Sequence, residues 1–356
     1  MKHLRLKTIN ILLPILPMFL TMLVKSVGAR EENYKEFEKF FFPTDTIDFN
    51  IDGLVIGKIS KALALDSKIY VILDDISHSV YVVNILNRSF KVVSVEKQFP
   101  GIKLEPYDIA LSNDGGFWVC GAVYRYFLFD SKGEFKAKYY TDDLYSSGKT
   151  AVDSKGNLII YSDKFADGIY LYYFDLQRKE KKRLFRIDFP NSLLNSIRRF
   201  LGGGLLADDK GNIYVSNAIE DKIYVYDLNG NRKRIFKSKH LGFSMLSQDL
   251  PATKEDIMKH FIQRKNKLYF DLFLSMHFLN KKTIVGMFAV KGKLLIELFS
   301  TSGYVLNDHK ILIPGYIVYS ANNYLYLAYQ PEQFDSKGYL KNPVLIKYKY
   351  RGSTDD

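Results

Sequence analysis

Apolar and polar positions alternate along most of the chain in short runs, and clusters of turn-forming residues separate the runs. The clearest stretch lies between Leu205 and Gly230, LLADDKGNIYVSNAIEDKIYVYDLNG. It contains a short apolar strand, a tight Asp-Lys-Gly-Asn turn, a β-rich strand, an acidic loop and another β-rich strand. The same order begins at Thr150 (TAVDSKGNLIIYSDKFADGIYLYYFDL) and, more loosely, at Asp108 (DIALSNDGGFWVCGAVYRYFLFDSKG). A further copy from Ala62 has lost its turn glycine, and two degenerate copies follow around Phe278 to Gly303 and Tyr316 to Tyr350. Period-two alternation predicts strands, and a theme returning about every 40 to 55 residues predicts a propeller. Gly156 and Gly211 stand where a two-residue hairpin requires positive φ.

Six units are expected, at 60–97, 105–140, 148–188, 203–237, 268–308 and 314–350. The last has room for about three strands, and Asp45 to Ile51 alternates in a way that supplies a fourth. Such a strand closes the ring and hides the sheet edge. The expected fold is therefore all-β, a six-bladed β-propeller over 45–350 whose last blade is closed by an N-terminal strand, with a tail at 351–356. An open β-sandwich is the competing layout, and it gives no reason for inner turns that repeat in order. Pro251 to Ile262 predicts a helical insertion with Thr253 as N-cap, and Asn191 to Phe200 a second short helix. Both fall between blades, where a helix either covers apolar surface or acts as a lid.

The pattern A-x-D-x-x-G-N-(I/L)-(Y/I)-V, an acidic loop, then I-Y-V-Y-D-x-x-G resembles NHL-type repeats. That resemblance extends to the six-bladed extracytoplasmic propellers of bacteria, TolB-like ones included. It is good over 150–230, fair over 60–135 and poor after 265. The motif specifies a blade and carries no activity.

Lys2, Arg5 and Lys7 precede a mostly apolar run from Ile9 to Val24, and Val27-Gly28-Ala29 offers small residues before Arg30. This predicts a signal peptide over 1–29 and a linker over 30–44. An uncleaved anchor is the alternative, but the run falls short of the ~20 residues a spanning helix needs, and Pro14 and Pro17 interrupt it. No cysteine stands at the cleavage point, as a lipoprotein would require. The mature chain is expected to be soluble, in periplasm or medium.

Composition refines this picture only modestly. Aromatic residues make up 15% of the 356, with 26 Tyr and 26 Phe against one Trp, which favours half-buried pleated surfaces. Net charge is +12; the leader holds Lys2, Arg5, Lys7 and Lys25 and no acid, so 12 − 4 leaves +8 after cleavage. Cys120 is the only cysteine, so stability must come from core burial.

Strand direction sorts the charges by face. In a blade running from innermost strand a to outermost strand d, the a–b and c–d turns share one face. The b–c loops and the d–a connections between blades share the other. Lys155 and Lys210 fall on the first face with Arg178, Lys181, Lys182, Arg183, Arg232, Lys233 and Arg234. The second receives Asp74, Asp75 and His78, then Asp163 and Asp167, Glu220 and Asp221, all from b–c loops, and Asp142 and Asp143 from a d–a loop. One basic and one acid-rich rim are expected, with ligands on the acidic side. Taken singly, each of these residues is equally a solvated turn residue. A mouth rich in carboxylates admits a divalent cation such as Ca²⁺, although no contiguous Ca²⁺ loop occurs.

His78, His240, His260, His277 and His309 show no local zinc spacing, and no G-x-S-x-G elbow is present. Cys120, beside Trp118, reads as a buried small hydrophobe, and Gly202-Gly203-Gly204 as a bend into blade four. The leading expectation is an exported, non-catalytic module binding a protein or small ligand at its mouth. It would be monomeric, without a cofactor or nucleic acid, with its basic face free for an anionic surface. The alternative is a metal-dependent lactonase- or lyase-like enzyme using inner carboxylates among Asp66, Asp108, Asp153 and Asp208. A structural envelope component is the third reading.

Overall fold

The computed structural model describes residues 34–121, 125–140, 145–164, 168–187, 203–218, 220–243, 271–330 and 341–352. The expected signal peptide, both interblade helices, Asp142, Asp143 and Asp167 lie outside these residues. Six four-stranded antiparallel sheets are present, five of them built from consecutive strands. Their spans are 59–92, 106–140, 145–187, 204–237 and 272–312, close to the units legible in the repeats. The sixth combines Tyr316–Ala321, Tyr324–Tyr329 and Val344–Tyr350 with the N-terminal strand Phe41–Asp48. Each innermost strand packs against the next, and that of blade six against that of blade one, so the cycle is closed. The fold is a six-bladed β-propeller.

The closing strand starts four residues earlier than alternation suggested, at Phe41 in place of Asp45. A short helix, Lys35–Phe40, precedes it inside the expected linker and buries Phe37 against Phe41 and Tyr348. Asn342 locks the same seam: its amide donates to the carbonyls of Phe49 and Leu54 and its oxygen accepts from the Ile56 N–H.

Alternation places the aromatic rings between blades. Tyr226 of blade four stacks on Phe185 of blade three at 3.7 Å, and Tyr214 meets Phe278 of blade five edge-on at 5.5 Å. These rings are core packing and not an exposed stacking platform.

The Asp-x-x-Gly-Asn repeats form the turns of the a–b face. Asp153 accepts from the Lys155 and Asn157 N–H groups with one oxygen, and from the Asn157 amide and Tyr173 hydroxyl with the other. Asp208 repeats this with Lys210, Asn212 and Tyr214. Gly156 and Gly211 adopt φ of +87° and +77°. The loop has three residues where two were expected, because Asp153 N–H pairs with the Asn157 carbonyl while Gly156 N–H returns to Asp153.

Candidate functional site

Bulges on the innermost strands create the site. Against strand b, the register slips between Ile59 and Lys61 in blade one and between Pro106 and Asp108 in blade two. It slips again between Ser146 and Lys149, Phe273 and Ser275, and Ile317 and Tyr319. A bulge bends its strand and re-aims the side chain that follows. Those followers are Lys61, Asp108, Lys149, Ser275 and Tyr319, each with a polar group, on strands that otherwise run mostly apolar toward the core. Blade four has no such slip among the described residues. Its inner strand opens at Gly204, where a Cβ would stand 2.3 Å from Met276 Cγ of blade five, so apolar mass fills that side.

The described polar groups at the ring's centre are unequally satisfied. Asp108 is 3% exposed, yet both oxygens are engaged: Lys61 Nζ donates to one at 2.7 Å and the Thr150 N–H to the other at 2.7 Å. Lys149, one blade on, has no hydrogen bond or ion pair among the described residues. It is half-buried, and the loss of solvation this brings lowers its pKa; Asp108 opposes the shift, Lys61 adds to it, and Asp75 opposes it. His277, on blade five, pairs Nε2 with Ser275 Oγ at 3.0 Å. Burial, reinforced by Lys61 and Lys149, lowers its pKa to about 3, so the imidazole is neutral at pH 7. Cys120 lies behind this cluster against Thr150, and burial together with the Asp108 carboxylate pushes its thiol up, away from the reactive thiolate.

The rim residues expected to bind ligand fare differently. Asp74 is 0% exposed: it ends strand b of blade one and accepts from the Gly57, Lys58 and Ile76 N–H groups and the Ser77 hydroxyl. It is a turn anchor and leaves the ligand set. Asp75 pairs with Lys58 at 3.1 Å, and Glu220 accepts from the Tyr224 hydroxyl. Asp221 is buried with one oxygen unpartnered among the described residues, and burial raises its pKa. His78 is exposed in a turn at φ +50°. Asp163 falls inside strand b of blade three, not in the loop.

The nine basic residues are all exposed, on strand d or in turns of blades three and four. They do not form an unmixed face. Asp66, Asp114, Asp130, Asp153, Asp208 and Asp227 share it, and Asp114 is bonded to Lys136. Aspartate accompanies the basic residues on this face because it is the residue that caps these turns. The same chemistry removes Asp66, Asp153 and Asp208 from the channel; of the four inner carboxylates considered, only Asp108 lies on an innermost strand. No group of three or more His, Cys, Asp or Glu suited to a metal ion occurs among the described residues.

The sequence did not single out Lys61, Lys149 or His277 as site residues. The signal was a charge in the middle of an inner strand, as in Ile59-Ser-Lys-Ala-Leu-Ala64.

No protein-family model matches the chain, and no curated protein does. Solved structures do. A member of the DUF4221 family from Bacteroides vulgatus superposes with a TM-score of 0.63 at 12% identity, covering 88% of this chain and 98% of its own. A candidate exported protein from Bacteroides fragilis gives 0.62 at 13%, covering 90% and 98%. A streptogramin B lyase gives 0.51 at 11%, covering 88% and 98%. At such identities the likeness is one of fold.

Proposed function

We propose that this chain is an exported recognition module that holds a small ligand or a peptide end in the centre of its propeller. The observation that carries the reading is the cluster of Lys61, Asp108, Lys149 and His277 at the ring's centre. Charge on the innermost strands is costly to desolvate, Asp108 being buried and the other three half-buried, and we read its presence there as serving binding. The innermost strands pack against one another around the closed ring, which holds such groups in place as preorganised recognition requires. Export is supported by the basic and apolar leader and by the candidate exported neighbour from Bacteroides fragilis. The NHL-like repeats of 150–230 suit an extracytoplasmic propeller.

The test is a thermal-shift screen of the full chain against anionic, cationic and neutral small molecules and short peptides. A ligand that stabilises the parent and not Lys61→Met, and is recovered unchanged after long incubation, supports recognition. Steady conversion of that ligand would favour the lyase-like alternative, which the streptogramin B lyase neighbour brings to mind only through its fold.

A further inference from the structure

We propose that Lys61, Lys149 and His277 form a receptor at the centre of the ring for one oxyanion group, the carboxylate or phosphate of a small ligand. This rests on the recognition reading above and names the ligand's chemistry.

The three residues come from blades one, three and five, alternate positions around a six-membered ring. Their innermost strands therefore line the axis from three sides. Asp108, from the blade between the two lysines, is the only carboxylate among the bulge-following residues, and both its oxygens are occupied. Two ammonium groups thus share one carboxylate. At the mouth, Asp75 is committed to Lys58. Among the described residues Lys149 has no counter-charge in contact, at a half-buried position where an ammonium is costly to desolvate.

An oxyanion at the centre supplies that missing charge. It would accept from the Lys149 ammonium, from a Lys61 N–H not used on Asp108, and from an imidazole N–H of His277. Ammonium groups act as compact point charges without the planar fork of arginine, so carboxylate and phosphate both suit them. A cationic ligand would meet an unbalanced like charge, and a neutral one would leave Lys149 as it is.

Isothermal titration of the full chain with inorganic phosphate, and separately with succinate, tests this. One-to-one binding of at least one of them is expected. Lys149→Met should weaken it by about tenfold or more, the loss of one hydrogen bond to a charged group. Methionine keeps the apolar stem, so this variant should fold at least as stably as the parent; Lys61→Met is the second variant. Arg232→Gln, on the outer strand of blade four, should leave binding unchanged. A crystal soaked in tungstate should show its anomalous peak between Lys61, Lys149 and His277. No heat from either probe, equal binding by Lys149→Met, or a tungstate peak confined to blades three and four would overturn the proposal. Succinate binding without phosphate binding would assign a carboxylate, and the reverse a phosphate. Channel ligands that prove neutral or cationic would overturn the oxyanion assignment and leave the recognition reading standing. Conversion of a bound anion would overturn that reading and leave the receptor.

Discussion

The a–b face and the channel are both rich in charge, yet they treat it in opposite ways. On the face, a carboxylate such as Asp208 meets two backbone N–H groups, an amide and a hydroxyl within six residues of sequence. Its hydrogen-bonding capacity is used up locally, and the turn is the result. In the channel, Asp108 reaches Lys61 across 47 residues and Thr150 across 42, while Lys149 finds no partner among the described residues. Locally satisfied charge builds the fold. Charge carried to the centre and left short of a partner points to something that comes from outside.

The largest expected effect breaks the channel side of this contrast. Asp108→Ala strands the Lys61 ammonium and the Thr150 N–H, and should lower unfolding free energy by about 3 to 5 kcal/mol, the range for removing one partner of a buried pair. Urea titration reads this directly. A loss under about 1 kcal/mol would mean that Lys61 simply turns to solvent.

Acid comes next. His277 has its pKa depressed in the folded state, so the unfolded chain takes up a proton near pH 6.5 that the native protein refuses until about pH 3. The histidine thus costs nothing above pH 6.5, and stability drains away as pH falls through that window. Between pH 6.5 and 5 the loss should be about 2 kcal/mol. Comparing the parent with His277→Gln over this range isolates it from the carboxylates; parallel curves would show the imidazole titrating freely.

On the other side of the contrast, Asp208→Ala should cost about 1 to 2 kcal/mol, as loss of a capping side chain does, without affecting binding at the channel. The smallest effect has the opposite sign. Lys149→Met should raise stability by about 1 kcal/mol, since an apolar side chain replaces a half-buried, unpaired ammonium. A destabilised Lys149→Met would place the ammonium in the structural class with Asp208.

Both halves of the contrast bear on what a sequence can disclose. The turns were legible because Asp153 to Asn157 and Asp208 to Asn212 carry their whole mechanism in five consecutive residues. Blade count and closure followed from the same repeat and from alternation in Asp45 to Ile51. The channel was not legible, because a single extra residue such as Ser60 or Tyr107 resets the parity of a strand, and the partners lie in different blades. Asp74 misled for a related reason: beside Asp75 it resembles a loop acid, while in the structure it ends a buried strand and holds the turn that follows.

The closing strand has one more implication. Thr44 bonds to the Lys347 carbonyl across 303 residues, so the first of the described strands waits for the last. Five blades can assemble from neighbours in the chain, but the sixth cannot exist until Val344–Tyr350 has been made. Contacts of such long range slow folding. A ring whose clasp joins strands some three hundred residues apart stays open until both have emerged.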